Sequence, residues 1–336
     1  MKNYQKTIAM LTVTALLLGA APALAHQAAA ASAKTGAASK SSALKGVSAQ
    51  QISTAQKKLK EVTGKTYTFS KAEKWTQDKN SGWDLQIKEV AHGQVSLTNG
   101  QVDMITLDQK WADLKDTYKQ QIQSALKLAN ADGTEPPDTV TLTIGYSSKY
   151  INPGKLELFT QAGNTYLTLL DGKVKRIMSP LAPEEVPKAA LQETDKITEG
   201  LGGVTKGELI KASAVLNAKG EKTYELQFSS QDKKSPIFVN IKEATGQITK
   251  VEVSSLADSA ADYSKGYNKL KNYTAKQLSE NAKSSAQHFL NIDLTGYTAA
   301  KDEKNPGTAV FSKKNAPSIK GQYNTKGQFY NLELAE

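Results

Sequence analysis

Apolar and polar residues alternate in several short stretches of the chain, which is the period of a β-strand with one buried face. Leu85 and Ile87 alternate with polar neighbours in one stretch, and Leu226 and Phe228 do so in another. Strands of this type pair antiparallel, with one face in a core and the other in water. The pattern therefore predicts antiparallel sheets that are covered on one side.

Elsewhere apolar residues recur three and four positions apart, which predicts amphipathic helices. Leu278, Ala282, Ala286 and Phe289 line one face of such a segment. Four helices are predicted, around residues 50–62, 112–130, 184–200 and 274–290. Because strand-like runs follow each of them, helices and strands alternate along the chain in groups.

The clearest pair of strands is predicted for Phe238–Val253, which reads FVNIKEATGQITKVEV. Two apolar runs flank Thr245-Gly246, and a glycine suits a tight link because it adopts positive φ without a steric penalty. Three other stretches follow the same plan: VSLTNGQVDMI, YLTLLDGKVKRI and KGQYNTKGQFYNL. The hairpin glycines are Gly100, Gly172, Gly246 and Gly327, which lie 72, 74 and 81 positions apart.

This near-constant spacing predicts a repeated supersecondary unit. The expected fold class is α+β, with tandem units of one helix packed on a small antiparallel β-sheet, after a signal peptide and a flexible leader. The predicted divisions are a signal peptide at 1–25, a disordered Ala/Ser/Lys-rich leader at 26–49, and four units at 50–108, 109–180, 181–258 and 259–336.

The third unit resembles a PepSY domain, the module of metallopeptidase propeptides and spore-germination proteins. The resemblance lies in a helix followed by TYELQF, IFVNI and ATGQITKVEV, and above all in Thr245, Gly246 and Ile248. The acidic residue that usually precedes Thr-Gly is displaced by one place, to Glu243. The first unit matches more loosely through WDLQI and VSLTNGQV, and the second and fourth match only in the order of elements. Such an array resembles the YcdB/YcdC-type repeat of exported proteins from Gram-positive spore formers.

The resemblance implies a non-catalytic exported module that restrains or localises peptidases. It also implies a structural role for the hairpin residues Thr245, Gly246 and Ile248, and for Gly100, Gly172 and Gly327 in the other units. For Thr245-Gly246 alone, ordinary turn chemistry is an equally good interpretation.

The first 25 residues have the features of a signal peptide. Lys2 and Lys6 form a positive region, residues 8–18 are apolar, and Ala23-Leu24-Ala25 fits a cleavage site with cleavage after Ala25. An uncleaved anchor helix is the alternative, but the apolar run is short for a membrane span. We therefore expect a secreted or cell-wall-associated protein with no transmembrane anchor after cleavage.

The composition and charge of the chain exclude or disfavour several kinds of site. The chain has no cysteine, which excludes disulfides, thiolate zinc sites and cysteine nucleophiles. Its formal net charge is +10, but the lysines are dispersed and no basic stripe interleaved with aromatic residues is present. This distribution disfavours nucleic-acid binding and is compatible with attraction to an anionic wall polymer.

Candidate chemistry is scarce. The three histidines, His26, His92 and His288, form no HExxH motif, and the sequence contains no GxSxG motif. Ser124 and Lys127 satisfy SxxK, but the SDN motif that accompanies it is absent. No catalytic, cofactor-binding or metal-binding residue is therefore predicted. A hydrolase whose site is assembled only by the fold is the remaining enzymatic alternative.

The tryptophans suggest how a partner could bind. Trp83 is in phase with buried strand positions, so we expect it in a core. Trp75 is not in phase and is the candidate partner-binding residue, because tryptophan is favoured at recognition surfaces. The leading hypothesis is an exported, non-catalytic protein that binds a protein partner, such as an extracellular peptidase, or a cell-envelope partner. The alternative is a basic structural protein held on anionic wall polymers by charge.

Overall fold

The computed structural model describes residues 44–335 apart from 78, 130–134, 148–149, 151, 198–203 and 231–234. The predicted signal peptide and most of the predicted leader lie outside these residues. Five α-helices are present in the described chain: α1 (Ala49–Thr63), α2 (Asp116–Leu128), α3 (Lys188–Asp195), α4 (Ala260–Asn272) and α5 (Ala275–Leu290).

Sixteen β-strands account for most of the remaining chain. They are β1 (Phe69–Gln77), β2 (Asn80–Ile87), β3 (Gly93–Thr98), β4 (Gln101–Lys110), β5 (Thr139–Gly145), β6 (Leu156–Ala162), β7 (Thr165–Leu170), β8 (Lys173–Leu181), β9 (Lys206–Asn217), β10 (Lys222–Ser230), β11 (Pro236–Lys242), β12 (Ile248–Val253), β13 (Thr298–Lys301), β14 (Thr308–Ser312), β15 (Ser318–Tyr323) and β16 (Phe329–Ala335).

All sixteen strands belong to one antiparallel sheet. Strands β1 to β12 follow one another in chain order, and the last four follow in reverse, as β16, β15, β14 and β13. The reversal places the C-terminal strand beside β12, where Val251 faces Leu332. As a result β1 and β13 are the two edge strands of the sheet that the described residues form.

The expected fold of tandem PepSY-like α+β units on separate small sheets is therefore wrong. The strands at each predicted junction pair with one another: β4 with β5, β8 with β9, and β12 with β16. Separate sheets would leave the backbone groups of these strands without partners, whereas edge-to-edge pairing satisfies them. The predicted boundary at 108/109 lies inside β4 and that at 180/181 lies inside β8.

The four predicted hairpins are present as β3–β4, β7–β8, β11–β12 and β15–β16. Each has an irregularity of register close to its turn, and each hairpin glycine has φ between +67° and +81°. An irregularity of this kind inserts an extra residue into one strand and increases the local twist. The hairpins therefore recur within the single sheet.

Buried apolar side chains form two hydrophobic clusters on the helix-covered side. The first contains Leu59, Ile122 and the inward residues of β2 to β8, and the second contains Leu278, Phe289 and the inward residues of β10 to β16. The division falls at β8 and β9, which are joined by regular backbone pairing from Arg176–Asn217 to Leu181–Ala212. One sheet thus spans two cores.

Helix α4 was not predicted from the sequence. Its apolar residues Tyr263, Tyr267 and Leu270 are four and three positions apart, but Leu270 is the only one that is buried. The helix begins after Ser259, whose hydroxyl accepts a hydrogen bond from the Asp262 backbone N–H. This cap favours a helix through local chemistry that does not depend on core packing.

Candidate functional site

The edge strand β1 is the best candidate for a binding site in the described chain. It contains nine residues, whereas β13 at the other edge contains four. The outer side of an edge strand presents backbone N–H and C=O groups that can pair with another extended chain. β1 contains no proline, so each of its residues keeps an N–H donor.

The hydrogen bonds of β2 show which backbone groups of β1 point away from the sheet and have no strand partner among the residues that the structure describes. The Asn99 N–H donates to the carbonyl of Ser81 at 3.1 Å, so the backbone N–H and C=O groups of Ser81 point toward β3. In an antiparallel strand the backbone groups of successive residues point to opposite neighbouring strands, so those of Gly82 and Asp84 point toward β1. Their partners Trp75 and Glu73 then bond to β2. It follows that Ala72, Lys74 and Thr76 direct their N–H and C=O groups outward.

Three side chains of β1 stand on the helix-free face of the sheet. Lys71, Glu73 and Trp75 oppose Gln86, Asp84 and Gly82, which alternate with the core residues of β2. The Lys71 ammonium and the Glu73 carboxylate form an ion pair whose side chains are 59% and 57% exposed. Solvent screens such a pair, so both charges remain accessible to a partner.

Trp75 lies across the backbone of its neighbour. A Cβ atom built on Gly82 would come within 2.5 Å of the Trp75 ring, so glycine is required for the ring to lie there. The half-buried indole thereby has a fixed position beside the free edge. Trp83 lies on the other face, where its ring reaches Gly46 and packs against the first cluster.

The predicted hairpin residues lie in turns at the ends of the strands. The Gly100 turn is two strands from Trp75, since Trp75 pairs with Gly82 and Gly82 pairs with Thr98. A Cβ atom on each glycine would be within 4 Å of a helix side chain, and the four pairs are Gly100 with Gln51, Gly172 with Gln121, Gly246 with Glu193, and Gly327 with Asn281. The Thr245 hydroxyl accepts a hydrogen bond from the Gln247 N–H at 3.2 Å, and Ile248 is buried in the second cluster. These residues shape turns that pack against helices.

The remaining candidates from the sequence are dispersed. Ser124 and Lys127 lie on α2, His92 precedes β3, and His288 lies in the last turn of α5. In the part of the chain that the structure describes, no three His, Asp or Glu side chains are grouped as metal ligands would be. Among the described helices, none combines the length and apolar character needed to cross a membrane.

A second polar cluster crosses the junction of the two cores on the helix-free face. Arg176, the single arginine of the chain, donates to the Glu225 carboxylate at 2.5 Å. Burial raises the pKa of Glu225 despite the opposing effect of Arg176 and Lys250. Lys250 in turn pairs with Glu252 at 3.2 Å. These charges neutralise one another, so the cluster fits a structural role better than a binding role.

The sequence did not identify Lys71, Glu73 and Lys74 as binding residues. The sequence signal for these residues is the alternation of opposite charges in a strand-like run beside Trp75. This signal could not identify a binding site, because the edge strand is defined by the order of all sixteen strands. Alternation does not specify that order.

Comparison with known proteins assigns this chain to no family. No protein-family model matches the chain, and no curated protein matches it. Among solved structures, the chain is similar to a protein with unknown function from Clostridium leptum, with 11% identity, 47% of this chain and 89% of that chain covered, and a TM-score of 0.28. A similarity at that TM-score carries no argument about fold or function. The resemblance to PepSY domains stays a prediction.

Proposed function

We propose that this chain is an exported, non-catalytic protein that binds an extended segment of a protein partner by strand addition at β1. The observation that carries the proposal is the long edge strand β1, which no described strand covers and whose backbone groups at Ala72, Lys74 and Thr76 point outward. In strand addition the backbone hydrogen bonds supply affinity, and the side chains at alternate positions supply specificity.

The side chains of β1 define the partner's sequence pattern. A segment that pairs antiparallel with β1 places an apolar residue opposite Trp75, a basic residue opposite Glu73 and an acidic residue opposite Lys71. From its N-terminus, the segment therefore reads apolar-x-basic-x-acidic. Charges on an edge strand also oppose indiscriminate pairing, so β1 favours a matched strand over an arbitrary one.

The function is tested with two labelled peptides of identical composition, one with this pattern and one with its basic and acidic residues exchanged. We expect the matched peptide to bind about tenfold more tightly, because two cross-strand ion pairs replace two like-charge contacts. In the variant Lys71→Glu/Glu73→Lys, the preference should reverse. Fluorescence anisotropy measures both affinities. Equal binding of the two peptides, or the same preference in the variant, would contradict the proposed site.

A proline substitution tests the backbone contribution separately. Lys74→Pro removes an outward N–H without removing a hydrogen bond to β2, so it should abolish peptide binding. Ala299→Pro is the matched control at the other edge. The Asp302 N–H bonds to Thr308 of β14, so Ala299 has its N–H outward from β13. If Lys74→Pro binds the peptide as well as Ala299→Pro does, strand addition at β1 is excluded.

Restraint of an extracellular peptidase is one form of this function. Purified protein should then slow casein cleavage by peptidases of the culture medium, and Lys74→Pro should not. Unchanged cleavage in the presence of a protein that binds the matched peptide would exclude peptidase restraint and leave strand addition in place.

A further inference from the structure

We propose that the outward surface of α4 and α5 binds a linear polyanion, and that it anchors the protein to an anionic polymer while β1 stays free for a protein partner. Both the ligand class and the location differ from those of strand addition, because the polyanion binds at the end of the sheet opposite to β1. The occupant is a polymer with a negative charge on each repeat.

This surface carries an excess of positive charge. Five exposed lysines stand on the two helices, at positions Lys265, Lys269, Lys271, Lys276 and Lys283. Only two carboxylates accompany them. Glu280 pairs with Lys283 at 2.8 Å, and Asp262 accepts a hydrogen bond from the Ser259 hydroxyl at 2.7 Å. Across the described chain, the other four lysines form no ion pair.

The helix-free face of the sheet differs from this surface in its electrostatics. Several cations of that face are matched by carboxylates, as in Lys175–Glu157 at 2.7 Å and in the Arg176–Glu225 and Lys250–Glu252 pairs. Lys211 and Lys320 on that face stand singly, whereas α4 and α5 carry four lysines without an ion pair in the described chain. An array of like charges without partners attracts a polymer of the opposite sign over about a Debye length, roughly 10 Å at 0.1 M salt.

The structure of α4 supports a surface role. Thirteen residues form this helix, yet Leu270 is its only buried residue. The helix is held at the ends of the sheet strands by hydrogen bonds from Tyr323 to the Leu270 carbonyl and from Tyr263 to the Pro306 carbonyl, each 3.1 Å long. It is fixed in place while contributing little to the core.

The spacing of the lysines fits a linear ligand. Lys265 and Lys269 are four residues apart on one helix face, which places them about 6 Å apart along the axis. Lys271 lies over the Tyr267 ring at 4.5 Å from the ring centroid, which holds its ammonium at the surface. A chain with one phosphate or carboxylate per repeat can therefore contact successive lysines.

The position of the surface leaves β1 accessible. Helix α5 packs on β12, β13 and β16, and the Lys301 ammonium of β13 bonds to the Lys271 carbonyl at the end of α4. Fifteen strand intervals separate β13 from β1. At about 4.8 Å per interval, they correspond to about 70 Å along the sheet. A polymer at α4 and α5 would not obstruct a strand at β1.

The test compares two charge-reversal variants of equal net charge. Lys265→Glu/Lys269→Glu changes the proposed surface, and Lys57→Glu/Lys60→Glu changes two exposed lysines of α1 near the β1 end. The probes are long-chain polyphosphate and poly-L-glutamate. Affinity is measured at 0.1 M and 0.4 M NaCl, and circular dichroism and binding of the matched β1 peptide report folding.

We expect the α4 variant to bind polyphosphate at least roughly tenfold more weakly than the native protein at 0.1 M salt, and the α1 variant to bind within about twofold of it. Higher salt should weaken native binding. Tighter binding of polyphosphate than of polyglutamate would identify phosphate as the ligand group, and the reverse would identify carboxylate. Equal losses in the two variants would show that net charge alone is responsible and would overturn the assignment, as would salt-independent binding. Peptide binding at β1 in the α4 variant separates this result from a failure of strand addition.

Discussion

At the scale of single residues, glycine positions determine where the sheet can turn. Gly327 has φ of +77°, a conformation in which a Cβ atom is strained. A Cβ atom there would also come within 2.6 Å of the Asn281 amide nitrogen and 2.8 Å of the Tyr273 ring. The hairpin β15–β16 thus depends on glycine for its backbone conformation and for its packing on α5.

Gly327→Ala should therefore destabilise the protein more than a substitution with backbone strain alone. Gly154 is the matched control, because its φ is +76° and a Cβ atom there would meet no atom within 4 Å. We expect Gly154→Ala to lower the free energy of unfolding by roughly 1 kcal/mol and Gly327→Ala to lower it by roughly 2–3 kcal/mol. Urea denaturation measures both. Equal losses would show that the contact with Asn281 and Tyr273 is relieved at no cost.

Ionisation of Tyr224 makes the free energy of unfolding depend on pH in the alkaline range. Burial, together with a hydrogen bond to the Glu243 carboxylate, raises the pKa of its hydroxyl to about 12. An unfolded tyrosine titrates near pH 10, so the folded state retains this proton between about pH 10 and 12 while the unfolded state releases it. The contribution of this raised pKa to the free energy of unfolding is therefore complete below pH 10, and it is lost as the pH rises through 12.

Tyr224→Phe should accordingly make the melting temperature fall less steeply between pH 10 and 12, although the variant is less stable at pH 8 because it lacks the hydrogen bond. Tyr166→Phe, on the helix-free face of β7, serves as the control for the loss of a tyrosine. Thermal unfolding followed by circular dichroism gives the slopes. A slope for Tyr224→Phe equal to that of the native protein would contradict the assignment.

At the scale of elements, local sequence accounts for the hairpins and most helices. Helices α1, α2 and α5 lie close to the predicted segments because the apolar face of each contributes to a core. The segment predicted at 184–200 contains a 3-10 turn at Pro183–Glu185 and the shorter helix α3, and residues 198–200 lie outside the described chain. Pro187, immediately before α3, explains the interruption, since proline tends to stop the preceding segment from being helical.

We expect the loss of a helix cap to lower the global free energy of unfolding more when the helix buries more side chains. Thr274 accepts a hydrogen bond from the Gln277 N–H at 3.2 Å and begins α5, which buries Leu278, Phe289 and three other residues. Thr274→Ala should lower the global free energy of unfolding by about 1 kcal/mol. Ser259→Ala removes the cap of α4, which buries only Leu270, so it should instead increase local hydrogen exchange in α4.

Urea denaturation and amide hydrogen exchange distinguish these outcomes. Loss of the Ser259 cap with an equal global destabilisation would mean that α4 is coupled to the second cluster more strongly than its burial indicates.

At the scale of the whole molecule, the two hydrophobic clusters share a sheet but few side chains. Leu181 and Leu216 are partly buried residues of β8 and β9 that pack against the second and the first cluster respectively. The Arg176–Glu225 pair is an additional link, from β8 to β10. Coupling between the cores therefore depends mainly on backbone pairing and on few side chains.

Core truncations in the two clusters should for this reason have separate effects. Leu59 and Leu332 are both fully buried, one in each cluster. Leu59→Ala should lower hydrogen-exchange protection in β2 to β8 by about 2–4 kcal/mol and change β10 to β16 much less, and Leu332→Ala should do the reverse. Equal losses throughout the sheet for both variants would show instead that the molecule unfolds as one unit.

The sequence by itself determined the local periods, the turns and the absence of a cysteine framework. Alternation identified β2 and β10, and the glycines identified four hairpins, because these signals depend on contacts within a few residues. Only the tertiary structure decided that sixteen strands form one sheet, that the last four run in reverse order, and that β1 is the free edge beside Trp75. Alternation specifies which face of a strand is buried but not which strand lies beside it, and strand neighbours are selected by packing across the whole molecule.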